Sequence, residues 1–362
     1  NNLTKNYKNV NKILKETAIL VIIAGVNVPG KYLRAVPGTL KEISSYIKDL
    51  ECQKILTGPA ALLGSSLQGG RIARKSPKNT FDLIDFNYLN INNYKKLNAE
   101  LGADILDQIP WEVIVEIETG RGCNIGKCSF CTEPLKSKVE YRPSKDIIDE
   151  IKVLSKKDVK HFRIGKQTCF YSYQNSDLKE IEKILKETSK LKPKTFHIDN
   201  VNPNRVITEK GKKITQLIVK YCTSGNVAAF GIESFDPEVI RKNTLNTSPV
   251  IANKAIKILN KYGGERGENG MPKFLPGLNL LFGLIGENKK THKRNMDALK
   301  RILENNLLVR RLNVRQVTPY PGTKLFEEAK NKFLRKNRKY YWKWRNKIRH
   351  EFDLPMLKKV VP

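Results

Sequence analysis

The sequence lacks a long apolar run. Of its 362 residues, 40% are hydrophobic, and the longest uninterrupted stretch, AILVIIAGVNV (18–28), has 11 residues. A membrane-spanning helix needs about 20. Lysines precede this stretch, but Pro29-Gly30 closes it without the small-residue cleavage pattern of a signal peptide. The pattern predicts a buried β-strand, no contact with a membrane and a cytoplasmic protein.

Acidic residues are also scarce. The chain has 36 Asp and Glu against 67 Lys and Arg, a formal charge of +31. Such a balance favours a polyanionic partner such as nucleic acid. Lys, Asn and Ile are abundant throughout, however, as biased genome composition would also produce. The charge alone therefore leaves the two interpretations equally weighted.

The third shortage is of cysteines that could form a disulfide framework. Three of the six cysteines crowd into nine residues, and Cys52, Cys169 and Cys222 are scattered. In a reducing compartment such a crowd indicates metal binding. The crowded segment is TGRGCNIGKCSFCTEP (119–134), and Gly122 and Gly126 give this predicted loop backbone freedom.

The regular part of the sequence predicts an α/β fold. A βαβ unit runs from Ala18 to about Asn79, and a stretch rich in Asn, Lys and Tyr (76–101) indicates a linker. After Pro110, six apolar strands are each followed, except the last, by a polar or helical segment: 111–119, 160–167, 194–200, 226–234, 277–287 and 309–320. We predict a partial (β/α)6 TIM-type barrel whose site lies at the strand C-termini.

Three domains follow from this pattern. Residues 1–105 are predicted to form a small Rossmann-like domain with its linker, 106–325 the barrel, and 326–362 a basic, aromatic, helical extension. From Thr323 to Pro362 there are 13 Lys and Arg against four Asp and Glu, with aromatic residues interleaved. The extension is either an amphipathic cap on the open barrel or an RNA-binding surface, and both roles are compatible.

Cys123, Cys128 and Cys131 are candidate metal ligands. A structural zinc site requires four ligands, yet no Cys or His lies between Cys131 and His161 to provide a nearby fourth one. Three thiolates on a four-iron cluster would leave one iron open for a cofactor. The motif alone leaves a zinc site and a redox pair as alternatives.

The segment resembles the cluster motif of the radical S-adenosylmethionine (radical SAM) superfamily. That family's usual spacing is Cys-x3-Cys-x2-Cys with an aromatic residue before the last Cys, a position that Phe130 fills here; the first gap has one extra residue, Cys123-x4-Cys128. Further stretches resemble the family in the same order: Gly165-Lys166-Gln167, Gly231-Ile232-Glu233-Ser234, Gly283 to Glu287, and Thr318-Pro319-Tyr320-Pro321-Gly322-Thr323. The matches cover roughly 111–325.

The resemblance implies a [4Fe–4S] cluster, S-adenosylmethionine and an electron donor such as ferredoxin or flavodoxin. It also implies cofactor contacts from these positions: Phe130, Gly165, Lys166, Gln167, Glu233, Ser234, Gly283, Gly286 and Pro319. Arg315, near the last strand end, is a candidate for cofactor or substrate contact.

Three further residues are candidates for catalysis. His197 and Asp199 alternate on the third strand and therefore share one face, which in a barrel could be the lumen. Cys169 follows the second strand near the expected mouth. Their alternatives are a hydrogen-bonded core pair and a buried, inert thiol.

The N-terminal domain resembles the cobalamin-binding-like domain of some radical SAM branches, through Thr57-Gly58-Pro59-Ala60 and Gly64. Cobalamin is therefore an option. Methylthiotransferases carry three N-terminal cysteines, whereas this chain has only Cys52 there. The phrase NVPGKYLRAVPGT (27–39) resembles an uncharacterised archaeal group whose longer members continue into a small β domain and a helix-hairpin-helix module.

We therefore predict a radical SAM enzyme that modifies RNA, either tRNA or rRNA. A protein or small-molecule substrate is the second hypothesis, and a non-catalytic zinc or RNA-binding protein the third. The sequence does not predict an oligomeric state.

Overall fold

The computed structural model describes residues 7–26, 38–66, 69–77, 79–89, 99–165 and 167–362. The chain divides into two compact units. The first consists of Asn1–Leu97 and Gln316–Arg335, and the second of Asn98–Arg315 and Lys336–Pro362. The division of the chain into domains at 105 and 325 stays a prediction.

The first unit contains a small parallel sheet. Its elements are α1 (Tyr7–Lys15), β1 (Ile19–Ile23), α2 (Leu40–Ile47), β2 (Gln53–Thr57), α3 (Pro59–Leu63) and β3 (Leu83–Ile84). The strand order is β1-β2-β3, and both pairings are parallel. Thr39 and Glu42 form a capping box that starts α2. The predicted strand-helix-strand pattern of this region is confirmed, although most of the 27–39 phrase lies outside the described residues.

The second unit is built on the strand-helix repeats that the sequence predicts. Its first half contains α4 (Ala99–Ala103), β4 (Ile114–Ile117), β5 (Gly120–Arg121), α5 (Glu133–Lys136), β6 (Glu140–Tyr141), α6 (Ser144–Lys156), β7 (His161–Ile164), α7 (Leu178–Lys190), β8 (Thr195–Ile198) and β9 (Asn200–Val201). Its second half contains α8 (Pro203–Val206), α9 (Glu209–Tyr221), β10 (Asn226–Glu233), α10 (Pro237–Lys242), α11 (Pro249–Gly263), β11 (Phe274–Phe282), α12 (Lys289–Glu304) and β12 (Arg311–Gln316).

The strands of this unit follow one another in sequence order. One sheet has the order β4-β7-β8 and the next β9-β10-β11-β12, and only Asp199 separates β8 from β9. The pairings from β4 to β8 and from β9 to β11 are parallel. The six predicted repeats are therefore present in the described residues. The fold is α/β and agrees with a partial barrel.

Strand alternation separates an apolar face from a polar one. Phe162 and Phe196 are fully buried, whereas their neighbours Arg163 and His197 are only partly buried and lie side by side in the β7–β8 register. The buried faces of the helices carry aliphatic residues at helical spacing, as in α6 with Ile147, Ile151 and Leu154. Arg163 and His197 thus line the inner face of the curved sheet, called the lumen below.

The C-terminal extension is helical, as predicted. After α13 (Lys324–Glu328), α14 (Lys332–Ile348) continues through a π-helical turn (Arg349–Asp353) into α15 (Leu354–Val360). The second unit buries a stripe of these side chains: Asn337, Tyr341, Trp344, Ile348, Phe352, Met356 and Val360. No helix among the described residues is long and apolar enough to cross a membrane.

Candidate functional site

The three clustered cysteines lie on the loop between β5 and β6, a short antiparallel pair that follows the first barrel strand. The amide of Cys131 donates to the carbonyl of Cys128 at 3.1 Å, which forms a tight turn between these two residues. Gly122 has a φ of +76°, and a side chain there would collide with the carbonyl oxygen of Lys138. The loop therefore depends on a residue without Cβ, as expected.

The thiols influence one another electrostatically. Burial, with the nearby Cys131, Glu233 and Cys123, raises the pKa of Cys128 to about 12. Burial and the charge of Cys123 raise the pKa of Cys131. Thiols of this kind stay protonated until a cation displaces the proton. Within the described ranges, no three His, Cys, Asp or Glu side chains stand close enough together to hold a metal ion.

A buried asparagine ties the cysteine loop to the turn after β11. The Asn243 carbonyl accepts the Ser129 amide at 3.0 Å, and its side-chain oxygen accepts the Ser129 hydroxyl at 2.6 Å. The same oxygen accepts the Ile285 amide at 3.1 Å, and the side-chain nitrogen donates to the Ile285 carbonyl at 2.9 Å. Asn243 and Ser129 are 0% and 1% exposed. Ser129 lies between two candidate ligands, so this network fixes the loop that carries them.

Glu233 stands beside the cysteine loop at the end of β10. The strand is irregular between Gly231 and Glu233, and Glu233 has a φ of +63°. Burial raises the pKa of Glu233 to about 8, against the lowering effect of the positive Arg315. Glu233, Cys128 and Phe130 line one cleft, which we call the Cys128 cleft; Gly231, Asn200 and Asn279 line it as well. The structure thus brings together three of the predicted positions.

A second cleft, the Cys123 cleft, contains Cys123, Gln167 and Cys169, together with Arg121 and Arg205. Gln167 is 7% exposed, and neither polar atom of its amide has a hydrogen-bond partner among the described residues. A buried amide without partners is costly. It therefore fits a polar ligand in this cleft.

Cys169 is buried, and its sulfur accepts the amide of Asn202 at 3.3 Å. Burial raises the pKa of this thiol. These features favour the structural role that the sequence left as the alternative.

His197 and Asp199 both lie close to Arg163 in the lumen. Burial chiefly lowers the pKa of His197 to about 4, and the charges of Arg163 and Arg310 lower it further. Burial raises the pKa of Asp199, while Arg163 and Arg311 oppose that effect. The imidazole is therefore neutral near pH 7, and its surroundings disfavour protonation.

Several predicted positions lie elsewhere or are engaged otherwise. Ser234 is 1% exposed, and its hydroxyl contacts Asn295 and accepts the Asp236 amide. Gly283 and Gly286 form the turn after β11 with φ values of +97° and +86°. Pro319 belongs to the first unit, where its carbonyl accepts the Ala73 amide. Lys166 lies outside the described residues.

Some site residues were not predicted. Asn243, Arg163 and Arg311 contact the site through partners far away in sequence, so no local spacing indicates them. A signal existed for the arginines. A charged residue inside a short strand flanked by buried positions, as in HFRI, indicates a side chain that faces a polar interior.

Comparison with known families decides between the radical SAM and zinc-protein hypotheses. The family model described as "Radical SAM superfamily" matches residues 117–299, which include all three cysteines, the strands β7 to β11 and both clefts. The chain belongs to the radical SAM superfamily. The zinc-protein hypothesis is thereby displaced, and this radical SAM chain is an enzyme.

The radical SAM chain also resembles two archaeal proteins over most of its length. An uncharacterized protein of Methanocaldococcus jannaschii is 41% identical over 95% of this chain and 71% of its own length. An uncharacterized protein of Archaeoglobus fulgidus is 39% identical over 96% of this chain and 68% of its own length. The predicted kinship with an archaeal group is confirmed.

Solved structures share the fold. The radical S-adenosylmethionine methyltransferase TsrM of Kitasatospora setae aligns with 89% of this chain and 67% of its own, at a TM-score of 0.59 and 12% identity. OxsB, a cobalamin-dependent S-adenosylmethionine radical enzyme, aligns with 95% of this chain and 50% of its own, at a TM-score of 0.54 and 14% identity. At these identities the likeness establishes the fold alone.

Membership implies a [4Fe–4S] cluster and S-adenosylmethionine, and the site fits both. Three cysteines without a nearby fourth ligand suit a cluster with one open iron. The Gln167 amide and the Glu233 carboxyl lie in the two clefts beside Cys123 and Cys128. They offer polar partners to a cofactor rich in donors and acceptors.

Proposed function

We propose that Cys123, Cys128 and Cys131 hold the cluster, with Phe130 beside them. When bound, the cluster and S-adenosylmethionine supply a 5′-deoxyadenosyl radical that abstracts hydrogen from an unreactive C–H bond. The chain's own contribution is positioning. Asn243 holds the cysteine loop through Ser129, while Gln167 and Glu233 bind polar groups of the cofactor in the two clefts. Reduction requires a donor such as ferredoxin or flavodoxin.

The lumen supplies polar groups that bind the substrate. His197 is neutral near pH 7, so its imidazole offers a hydrogen-bond acceptor to the substrate. Asp199 faces Arg311 at 3.6 Å, so its carboxylate orients a substrate hydroxyl or amine beside a fixed positive charge. A catalytic role for Cys169 stays a prediction, and the burial of its thiol disfavours that role.

We further propose that the substrate is RNA, and the exposed side of α14 is the observation that carries this. Residues 331–350 contain nine Lys and Arg and no Asp or Glu. The buried stripe of α14 and the following turn leaves all nine cations exposed: Lys332, Arg335, Lys336, Arg338, Lys339, Lys343, Arg345, Lys347 and Arg349. Of these, only Lys347 forms an ion pair among the described residues, with Glu351 at 3.7 Å. Cations in this number bind phosphates through counterion release.

An exposed aromatic residue on the same face favours single-stranded or loop RNA. Trp342 is 58% exposed, and the Arg345 guanidinium lies 5.4 Å from its ring centre. Aromatic rings and guanidinium planes stack on unpaired bases. Tyr341 and Trp344 are buried against Phe282 instead, which shows that the helix serves as a packed element as well.

A charge-reversal pair tests RNA binding. The double variant Lys339→Glu with Lys343→Glu should bind RNA at least tenfold more weakly. The slope of log K against log salt concentration should also become shallower by about 0.7–0.9 for each phosphate contact that is lost. Lys183→Glu with Lys186→Glu, on the exposed face of α7, changes the net charge equally and should have a small effect. Equal losses in the two variants would show only a global charge effect. If a deletion strain lost no modified nucleoside, the RNA proposal would fail and a protein or small-molecule substrate would remain.

Cobalamin binding stays a prediction for the first unit. Gly58 and Gly64, which motivated it, serve contacts inside that unit: a Cβ at Gly58 would lie 3.1 Å from the Ala24 carbonyl oxygen, and one at Gly64 would meet the Arg74 carbonyl. Among the described residues of that unit, the Ser44 hydroxyl is buried without a hydrogen-bond partner, but it lies on the same buried face of α2 as Leu40 and Ile47 and does not by itself indicate a corrin. The cytoplasmic location likewise stays a prediction.

A further inference from the structure

The lumen of the second unit carries more positive than negative side chains. Arg163 extends from β7, and Arg311 and Arg315 extend from β12, against Glu116 on β4 and Asp199 between β8 and β9. Arg163 lies 3.4 Å from Glu116, and Arg311 lies 3.6 Å from Asp199. The Arg315 side chain is exposed and forms no ion pair among the described residues, although its charge acts on the nearby Glu233. Two carboxylates thus neutralise two of three guanidinium groups.

This crowding of like charges is unfavourable in the free protein. Burial lowers the pKa of Arg311, and the positive charges of Arg163, Arg315 and Arg310 lower it further against the attraction of Asp199. The Arg311 Nε is buried and has no hydrogen-bond partner among the described residues. The Arg163 and Arg311 side chains are 34% and 39% exposed, so solvent screens part of this repulsion, and an anion that joins the cations would relieve the rest.

The backbone makes room for the Arg311–Asp199 pair. A Cβ on Gly277 of β11 would lie 2.7 Å from Val227 and 3.1 Å from the Cγ of Arg311. A Cβ on Gly165, just after β7, would lie 2.3 Å from the Cβ of Asp199. A glycine thus lies beside each partner, Gly277 beside Arg311 and Gly165 beside Asp199. The pair links β12 to the β8–β9 junction, across the curved face of the sheet.

The arginines lie on the same side of the sheet as the Cys128 cleft. Arg315 acts electrostatically on Glu233, which lines that cleft with Cys128. Between them, the Asn313 amide of β12 donates to the Asn279 side chain of β11 at 2.9 Å, and Asn279 lines the cleft as well. An anion held by the arginines would therefore lie on the same side of the sheet as the candidate cluster ligands.

We propose that Arg163, Arg311 and Arg315 form an oxyanion site that anchors a phosphate or carboxylate group of the substrate in the lumen. Guanidinium groups suit this task because their paired donors match both kinds of oxyanion. Asp199 holds Arg311 in place and competes with the ligand for it. The site does not require that the substrate be RNA, since a small phosphorylated or carboxylated molecule presents the same group.

Binding of simple anions tests the site in the reconstituted holoenzyme. The anaerobic enzyme, saturated with S-adenosylmethionine, is titrated calorimetrically with ribose 5-phosphate and, separately, with citrate. Arg311→Gln should weaken binding of the preferred anion at least tenfold, and Arg311→Lys should weaken it less. Arg301→Gln, an exposed arginine of α12, is the matched control and should bind as the parent does. The stronger of the two probes identifies the phosphate or the carboxylate as the source.

The Asp199→Asn variant distinguishes loss of the anion site from loss of the fold. Removing the competing carboxylate should strengthen anion binding several-fold, a gain that a damaged fold would not give. The site is refuted if neither probe binds the parent, or if Arg311→Gln binds as tightly as the parent. It is equally refuted if anions bind only without S-adenosylmethionine, since the arginines would then hold the cofactor's own carboxylate. The α14 charge reversals should leave this binding unchanged, which separates the site from the RNA proposal.

Discussion

At the scale of single residues, Asn243 joins the cysteine loop to the turn after β11. Its side chain satisfies the buried Ser129 hydroxyl and the partly buried Ile285 amide and carbonyl. Buried donors left without partners cost about 1–3 kcal/mol each. The network is therefore important both for stability and for the position of the candidate ligands.

Asn243→Ala should lower the free energy of unfolding by about 2 kcal/mol or more and should also reduce the iron retained after gel filtration. Asn260→Ala is the matched control, because Asn260 bridges the Ile256 and Leu308 carbonyls and the Leu308 amide far from the cysteines. We expect the control to lose stability but to keep its iron. Equal iron loss in the two variants would contradict a positioning role for Asn243.

His197 gives a pH prediction. Because its folded-state pKa, about 4, lies below the ordinary value of about 6.5, the unfolded chain binds the proton more readily. Its contribution to stability is therefore complete above pH 6.5 and is lost as the pH falls toward 4. NMR titration should place the imidazole near pH 4 and move it upward in Arg163→Gln, since one repelling charge is gone. A parent value at or above 6.5 would contradict the charged lumen.

At the scale of elements, α14 has two faces that two tryptophans distinguish. Trp344 is 7% exposed, packs against Phe282 and His292, and donates its indole N–H to the His292 carbonyl at 2.9 Å. Trp342 is 58% exposed. The two residues therefore separate the packing role of the helix from the proposed binding role.

Trp344→Ala should destabilise the protein by about 3–5 kcal/mol, because a large buried ring leaves a cavity. Trp342→Ala should leave the unfolding midpoint nearly unchanged and weaken RNA binding by about 1–3 kcal/mol through lost stacking. Denaturant unfolding and RNA titration of both variants check this. Unchanged RNA affinity in Trp342→Ala would remove the aromatic part of the proposal.

The elements show which features could be predicted from sequence. The regular apolar spacing of 144–155 predicts a helix there, and helix α6 does start at Ser144. Strand β11 was predicted at 277–287 but spans Phe274–Phe282. The start of this strand was predicted too late because proline is unusual within a strand and Pro276 lies near its true start. The strand ends before Gly283, which has a positive φ. The final strand, predicted at 309–320, spans Arg311–Gln316, and beyond it the Val317 and Pro319 carbonyls accept the Gly70 and Ala73 amides.

Long-range partners were beyond prediction for a physical reason. Local spacing identified the cysteines, and the family resemblance indicated Glu233. The Arg311–Asp199 pair and the Ser129–Asn243 bond join residues more than 100 positions apart and exist only once the sheet has curved. Ser234 was predicted to contact the cofactor, yet its buried hydroxyl serves Asp236 and Asn295; whether it contributes to binding stays a prediction.

At the scale of the whole molecule, part of the net charge of +31 lies in two defined regions. Basic residues concentrate on the exposed face of α14, while other arginines enter the lumen. The family match covers residues 117–299, so the superfamily itself does not account for α14. The extension is therefore the place where a substrate preference particular to this chain and its relatives is expected.

The central claim, that Cys123, Cys128 and Cys131 hold a cluster that cleaves S-adenosylmethionine, is tested most directly by anaerobic reconstitution. The parent and Cys169→Ala should bind about four irons per chain and, on reduction with S-adenosylmethionine, release 5′-deoxyadenosine. Alanine at any one of the three clustered cysteines should abolish both. One zinc per chain without cleavage in the parent, or full activity in Cys128→Ala, would contradict the account.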